Sequence, residues 1–205
     1  MDGGVVKQIE FIFDFASPNA YLAYRVLPDI LTRTGATLAL TPCLLGGIFK
    51  ATGNQAPMLA FAGVPAKLGY EAVEMQRFVH RHGLSKFRMN PHFPINSLLL
   101  MRGMIAAAAD QAAYVEAVLT AMWEDGRAMG NPTVVAEVLV AAGLDAEAIL
   151  AAAATDTVKQ ALAANTQAAV ARGVFGIPSF FVGDELFFGK DRLAQVENYL
   201  LTGVP

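Results

Sequence analysis

The sequence has almost no cysteine and few histidines, which removes several kinds of chemistry at the outset. Cys43 is the only cysteine among 205 residues, so no intramolecular disulfide, Cys-x-x-Cys redox motif or thiolate zinc site is predicted. Of the three histidines, His80 and His82 stand two positions apart, which on a helix points them to different faces, and His92 lies in a proline-rich segment. We therefore expect no metal site.

Strong net charge and long uncharged hydrophobic runs are also lacking. The net charge is only −3, which gives the chain no general attraction to nucleic acid or to anionic membranes. The nearest candidate for a membrane span, residues 134–158, is interrupted by four acidic side chains, and the N-terminus lacks a signal-peptide pattern. Because 55% of the residues are hydrophobic, a sizeable core can form. We expect a soluble, cytoplasmic protein that binds neither nucleic acid nor a membrane.

The N-terminal part of the chain has a strand–helix–strand pattern. Residues 8–15 alternate in the manner of a strand, and apolar residues at helical spacing predict a helix over residues 18–34. A glycine ends this helix, and residues 37–41 predict a second strand. This order predicts a βαβ unit with parallel strands and a right-handed crossover.

The rest of the chain divides into a helical block and a short strand-rich tail. In the tail, residues 174–182 and 185–188 predict a hairpin around Gly183-Asp184, and residues 192–201 predict a final helix. The block between, roughly 44–172, is rich in Ala, Leu and Met and predicts helices at 65–82, 95–109, 111–128, 132–142 and 145–171.

Ser17 and Pro18 stand where the first strand gives way to the first helix. Serine is a favoured N-cap and proline a favoured first helical residue, and this structural role by itself accounts for the pair. A helix N-terminus also attracts anions and lowers the pKa of a thiol held there. Because Ser17 offers only a hydroxyl, a thiolate at this position would have to come from a bound molecule.

Ile177-Pro178 opens the third predicted strand. A proline there marks a strand start, a sheet edge or a cis peptide bond. In the predicted topology this strand start would face the N-terminus of the first helix, and the backbone of Ile177 would be free to pair with an extended ligand. The alternative is a proline that merely begins a strand.

Four segments together resemble a known enzyme family. They are FDFASPNAYLA (13–23), GGIFKATGN (46–54), NPHFPINSL (90–98) and GVFGIPSFFVGDELFFGKDRL (173–193). In order and spacing they resemble the 2-hydroxychromene-2-carboxylate isomerases, which belong with the kappa-class glutathione transferases and the DsbA-like thioredoxin-fold proteins. The resemblance covers nearly the whole chain.

The resemblance implies an α/β thioredoxin fold (βαβ…ββα) with a helical domain inserted after the second strand. Residues 1–45 and 173–205 would form the thioredoxin-like domain, and residues 46–172 the inserted helical domain. The resemblance also implies a homodimer.

The resemblance further implies glutathione as the cofactor. Ser17 takes the place of the reactive cysteine of the disulfide-exchanging relatives, and Ala20 that of the resolving cysteine. Ser17 would hydrogen-bond the glutathione sulfur as thiolate. The backbone of Ile177, before a cis-Pro178, would pair with the cysteinyl part of glutathione.

Further glutathione contacts are implied at the remaining matched positions. Asp191 would receive the γ-glutamyl ammonium with Lys190 beside it, although Asp191 also suits the N-cap of the last helix. Asn54 resembles a contact to glutathione and substrate, and Lys67 resembles a glutathione-contacting lysine of the kappa relatives.

The substrate implied by the resemblance is a small aromatic carboxylate. Lys50 is predicted to contact its carboxylate, and Phe93, with Phe49 and Phe61, is predicted to line an aromatic pocket unless these rings are simply core. The implied reaction interconverts 2-hydroxychromene-2-carboxylate and trans-o-hydroxybenzylidenepyruvate in aromatic (naphthalene-type) catabolism.

Two alternatives stay open from the sequence. The first is a kappa-like glutathione transferase or peroxidase that acts on another electrophile at the same site. The second is a non-catalytic module that binds a small thiol or a hydrophobic ligand. A disulfide oxidoreductase is disfavoured, because Cys43 is far in sequence from Ser17 and has no partner cysteine.

Overall fold

A single four-stranded mixed sheet forms the centre of the protein. The computed structural model describes residues 7–204. The strands are β1 (Gln8–Phe13), β2 (Thr37–Pro42), β3 (Ser179–Val182) and β4 (Glu185–Phe188), in the order β2-β1-β3-β4. β1 pairs with β2 in parallel, whereas β3 is antiparallel to both β1 and β4.

Ten α-helices accompany the sheet within the described residues. They are α1 (Pro18–Thr34), α2 (Leu45–Thr52), α3 (Pro57–Ala60), α4 (Pro65–Arg81), α5 (Leu98–Ala106), α6 (Gln111–Trp123), α7 (Pro132–Ala141), α8 (Ala146–Ala153), α9 (Asp156–Ala171) and α10 (Leu193–Thr202). Helices α2 to α9 all lie between β2 and β3 in sequence, so the predicted order of elements is confirmed. The division into two domains stays a prediction, and residues 1–6 and 205 lie outside the described part.

Several predicted bounds were wrong, since the strand predicted over 174–182 begins at Ser179 and the helix predicted over 111–128 ends at Trp123. β1 ends at Phe13 instead of residue 15, because the Asp14 side chain accepts the Ala16 N–H and starts a turn. The helix predicted over 145–171 is two helices, since Thr155 accepts the Val158 N–H and caps α9 separately. The short helices α2 and α3 were missed.

The core joins the sheet to the helical block. The Phe11 ring on β1 packs on Phe180 of β3 with centroids 4.7 Å apart, and both side chains are fully buried. Trp123, at the end of α6, is also fully buried, and its Nε1–H donates to the carbonyl of Phe15 at 3.0 Å. This bond fixes α6 next to the turn that follows β1. No helix within residues 7–204 has the length and apolar character that a membrane crossing requires.

The close contact between α5 and α6 depends on a glycine. A Cβ at Gly103 would lie 2.7 Å from Cζ of Tyr114, whose ring is fully buried and whose hydroxyl donates to the Leu100 carbonyl. We expect Gly103→Ala to lower the free energy of unfolding by about 1–3 kcal/mol, because the buried ring must shift. Urea denaturation measures this change.

The matched control is Gly69→Ala in α4, where nothing lies within 4 Å of the added Cβ. There the better helix propensity of alanine should raise stability by up to about 1 kcal/mol. Equal effects of the two substitutions would contradict the packing argument.

Candidate functional site

Ser17 lies between the end of β1 and the start of α1. Its backbone is extended, and its Oγ accepts the Ala20 N–H at 3.2 Å, which is the N-cap bond expected from the sequence. The same hydroxyl donates to the Ile177 carbonyl at 3.1 Å. Only 4% of Ser17 is exposed. The tertiary structure therefore brings the first and fourth of the segments listed above into direct contact.

The Ile177–Pro178 segment forms the opposite wall of this site. The peptide bond is cis, and β3 begins immediately after it. The Pro178 carbonyl accepts the Gly189 N–H at 2.9 Å, which fixes the loop after β4 against this segment. Within residues 7–204, the Ile177 N–H has no hydrogen-bond acceptor. Pairing of this N–H with a ligand stays a prediction.

A cavity of about 1040 Å³ opens beside Ser17. Its wall includes predicted residues from four parts of the chain, namely Ser17, Phe49, Asn54, Phe61, Phe93, Ile177 and Lys190. Asn54 connects two parts of the cavity wall, because its Nδ2 donates to the Phe175 carbonyl at 2.8 Å. The cavity is lined mainly by apolar side chains, which suits an aromatic ligand.

One lysine places a positive charge in this mostly apolar cavity. Lys190 is 5% exposed, and its Nζ donates to both carboxylate oxygens of Asp191 at 2.9 and 3.0 Å. The Asp191 side chain is 62% exposed and lies next to the cavity without lining it. The ammonium also lies 5.0 Å from the ring centroid of Phe78. The predicted pair is thus formed, with Lys190 inside and Asp191 towards solvent.

Lys50 and Lys67 are not brought to the cavity wall. On α2, Leu45 and Phe49 line the Ser17 cavity, whereas Lys50 lies on the other face of the helix and lines a second cavity. Lys67 is an exposed residue whose Nζ lies 3.3 Å from the ring centroid of Phe61, and it does not line the cavity. The predicted contacts of both lysines with ligands stay predictions.

Asp14 does not line the cavity but supports two residues that do, Ala16 and Leu45, and the sequence did not predict this role. It is fully buried, and its carboxylate accepts the Ala16 N–H at 2.8 Å and the Leu45 N–H at 2.7 Å. Burial raises its pKa from 3.8 to about 6, against the opposing effect of these hydrogen bonds. Asp14 therefore connects the turn that carries Ser17 to the start of α2. An acidic residue inside the apolar run FIFDF was the available signal.

Cys43 lies in the core at the end of β2. It is fully buried, and burial raises the pKa of its thiol to about 12. The thiol is therefore protonated and inert near neutral pH. Within residues 7–204 no group of three or more His, Cys, Asp or Glu side chains is arranged to hold a metal ion.

Comparisons with known proteins agree with this architecture. The DSBA-like thioredoxin domain matches residues 8–201. The 2-hydroxychromene-2-carboxylate isomerase of Pseudomonas putida is 32% identical over 194 residues, which are 93% of this chain and 92% of that protein. The isomerase of the same name from Sphingobium xenophagum is 31% identical and covers 96% of this chain and 100% of its own length. The chain belongs to the 2-hydroxychromene-2-carboxylate isomerase family.

Other relatives widen the comparison. A solved 2-hydroxychromene-2-carboxylate isomerase structure superimposes with a TM-score of 0.80 at 31% identity and covers 94% of each chain. Glutathione S-transferase kappa 1 of Rattus norvegicus is 29% identical and covers 97% of this chain and 92% of its own. The predicted family, the thioredoxin-type fold and the isomerase class of enzyme are confirmed for this member of the 2-hydroxychromene-2-carboxylate isomerase family.

Proposed function

We propose that this family member interconverts 2-hydroxychromene-2-carboxylate and trans-o-hydroxybenzylidenepyruvate, with glutathione as cofactor, in the catabolism of naphthalene-type aromatic compounds. The observation that carries the proposal is the position of the Ser17 hydroxyl. It caps α1, faces the Ile177 backbone and opens on a mostly apolar cavity of about 1040 Å³. The solitary thiol, Cys43, is buried and protonated, so a reactive sulfur has to be supplied by a ligand.

The residues present fit glutathione. Its cysteinyl backbone would pair with the unbonded N–H of Ile177, and Asn54 and Lys190 line the same cavity. Asn19 also lines the cavity, and its Oδ1 is buried without a hydrogen-bond partner among residues 7–204. A donor on the bound tripeptide would satisfy this oxygen.

Bound glutathione would supply a thiolate that adds reversibly to the conjugated substrate, permits rotation about the former double bond, and leaves again. Ser17 then has two tasks, to cap α1 and to hold the sulfur in its anionic form. Its hydroxyl proton, which is directed at the Ile177 carbonyl, would turn to the sulfur, because hydrogen bonds to an anion are roughly twice as strong as neutral ones. The α1 N-terminus would favour the same negative charge.

The substrate would be held by the apolar wall and one cation. Phe49, Phe61 and Phe93 offer aromatic surface for its ring. We propose Lys190 for the substrate carboxylate, because Lys190 lines the Ser17 cavity whereas Lys50, the residue predicted from sequence, lines the second one. Burial of the aromatic part of this substrate would also exclude water from the sulfur.

Asp191→Asn tests the cofactor site. The γ-glutamyl ammonium would share the Asp191 carboxylate with Lys190, so loss of this charge leaves two cations close together. We expect the dissociation constant of glutathione to rise about 10- to 100-fold by titration calorimetry. Asp184→Asn, in the exposed β3–β4 turn, is the matched control and should leave it unchanged. If the two variants bound glutathione with equal affinity, Asp191 would not be part of the cofactor site.

The reaction itself is tested with 2-hydroxychromene-2-carboxylate as substrate. Conversion to the trans product, followed by ultraviolet absorbance, should require glutathione, and the free thiol concentration should stay constant because the cofactor is regenerated. Consumption of glutathione with chlorodinitrobenzene, without isomerisation, would favour the kappa-like transferase or peroxidase. Binding of glutathione with no turnover would favour the non-catalytic module.

Two further expectations remain proposals. A homodimer would appear in sedimentation velocity as a species of twice the chain mass. A cytoplasmic location would appear in cell fractionation.

A further inference from the structure

A second cavity, of about 660 Å³, lies between α2, α5 and α9. Its floor is apolar and includes Leu44, Leu98 and Leu162. It lies on the face of α2 opposite to Phe49, so it is separated from the Ser17 cavity by the helix itself. Nothing in the proposed reaction uses it.

The charged side chains that line this cavity are all positive, and Thr166 and Gln167 are uncharged polar residues of the same wall. Lys50, Arg102 and Lys159 line it, and no aspartate or glutamate from residues 7–204 does. Lys159 is paired with Asp156 at 3.0 Å, whereas Lys50 and Arg102 form no ion pair in the described part of the chain. The cavity therefore has two cations, Lys50 and Arg102, whose charge is not matched by an acidic side chain among residues 7–204.

Arg102 gives the second, independent indication of a ligand. Its Nε is buried and has no hydrogen-bond partner within residues 7–204. A buried donor of a charged group that lacks an acceptor is costly, and native proteins usually supply a partner from the chain, from water or from a ligand. Carboxylates and phosphates both match a guanidinium in geometry, and the apolar floor of this cavity favours a carboxylate that carries a hydrocarbon body.

We propose that this cavity binds a small carboxylate with an apolar body, separately from the Ser17 site. The carboxylate pairs with Arg102 and Lys50, and the hydrocarbon part lies on the leucine side chains of the floor. The volume is within the range of about 300–1,000 Å³ that is usual for small-molecule sites. Charge complementarity is the reason to choose an anionic ligand over a neutral one.

The test uses octanoate and its uncharged counterpart 1-octanol with the full chain, in titration calorimetry and in amide chemical-shift mapping. Octanoate should bind at least tenfold more tightly than octanol, with shifts in α2, α5 and α9. Arg102→Gln should weaken octanoate binding at least tenfold. Ala163→Phe, which fills the cavity from an exposed position, should do the same. Arg81→Gln, which lines neither cavity, is the matched control and should bind as the unaltered protein does.

Several results would overturn the proposal. They are equal binding of octanol and octanoate, octanoate shifts centred on Ser17, no binding at millimolar octanoate, and retained affinity in the Ala163→Phe variant. If Ala163→Phe instead dissociated a dimer in sedimentation velocity, the cavity would be an interface with a second copy of the chain. Because Ala163→Phe alters the cavity without removing a charge, misfolding of Arg102→Gln would still leave the proposal testable.

Discussion

Replacement of Ser17 by alanine is expected to lower kcat for glutathione-dependent isomerisation about 100-fold. Removal of one preorganised donor to a developing anion typically has an effect of this size. The pKa of the bound glutathione thiol should rise by about 1 to 2, since a hydrogen bond to a charged group contributes about 1.5–3 kcal/mol. The measurements are steady-state turnover and the ultraviolet absorbance of the thiolate as a function of pH.

The same substitution also removes the N-cap of α1, because Ser17 Oγ accepts the Ala20 N–H. Loss of a cap costs about 0.5–2 kcal/mol of stability, and this effect has to be separated from catalysis. Asn131→Ala is the matched control, since Asn131 caps α7 by accepting the Thr133 N–H and does not line the Ser17 cavity. It should lose similar stability and keep full turnover. Ser17→Thr retains the hydroxyl and should keep most of the thiolate absorbance.

If Ser17→Ala retained both its turnover and its thiolate absorbance, Ser17 would be a structural cap only. If it lost turnover with an unchanged thiol pKa, the hydroxyl would act on the substrate instead of on the sulfur. The stability measurement on Asn131→Ala distinguishes both results from simple unfolding.

Asp14 is expected to make the protein less stable as the pH rises from 4 to 6. Burial favours the neutral carboxyl group and raises the pKa of Asp14 from 3.8 to about 6, so between these values the folded state holds a proton that the unfolded chain has lost. A folded state that binds more protons loses stability as the pH increases. The stabilisation is fully present below about pH 4 and is lost as the pH rises through 6. It amounts to about 3 kcal/mol.

The comparison of the unaltered protein with Asp14→Asn isolates this contribution. The asparagine has one carbonyl oxygen, which can accept either the Ala16 or the Leu45 N–H. Because asparagine does not titrate, any loss of stability that the substitution itself causes is independent of pH. The pKa values of Glu74 and Glu197 are lowered by their arginine partners and change stability in the opposite direction, but they are common to both proteins and cancel.

Urea denaturation at pH 4, 5, 6 and 7 measures the difference in the free energy of unfolding between the two proteins. That difference should change by about 3 kcal/mol across the range in favour of the variant at high pH. Asp184→Asn, which removes an exposed carboxylate, is the control for the loss of one acidic side chain and should not reproduce this change. Parallel curves for the unaltered protein and Asp14→Asn would mean that the Asp14 carboxyl group is not desolvated in the folded state.

Local signals accounted for the elements that the sequence predicted well. The α1 helix is bounded by Ser17 and by Gly35, which has a left-handed φ of 68°, and both bounds agree with the prediction. The β3–β4 hairpin around Gly183-Asp184 was also found. In each case the residues that define the element are close together in the chain.

Prediction was weakest where a segment is short and depends on distant partners. α2 begins where the Leu45 N–H donates to Asp14 and the Leu44 N–H donates to Thr166, 31 and 122 residues away along the chain. Because α2 was not expected, the sequence could not predict on which face of the helix Lys50 lies. Only the structure showed that Lys50 and Phe49 line different cavities.

The sequence by itself indicated the family to which the chain belongs, and its single cysteine excluded an intramolecular disulfide. Because the chain has one cysteine and a hydroxyl at the start of α1, the thiolate of the proposed reaction would have to come from a ligand. Only the tertiary structure decided that Ser17 meets Ile177, that Lys190 is buried beside Asp191, and that Asp14 is fully desolvated. The physical reason is the distance along the chain between interacting residues. Caps and turns depend on neighbours within a few residues. Burial and charge pairing depend on which distant parts of the chain pack together.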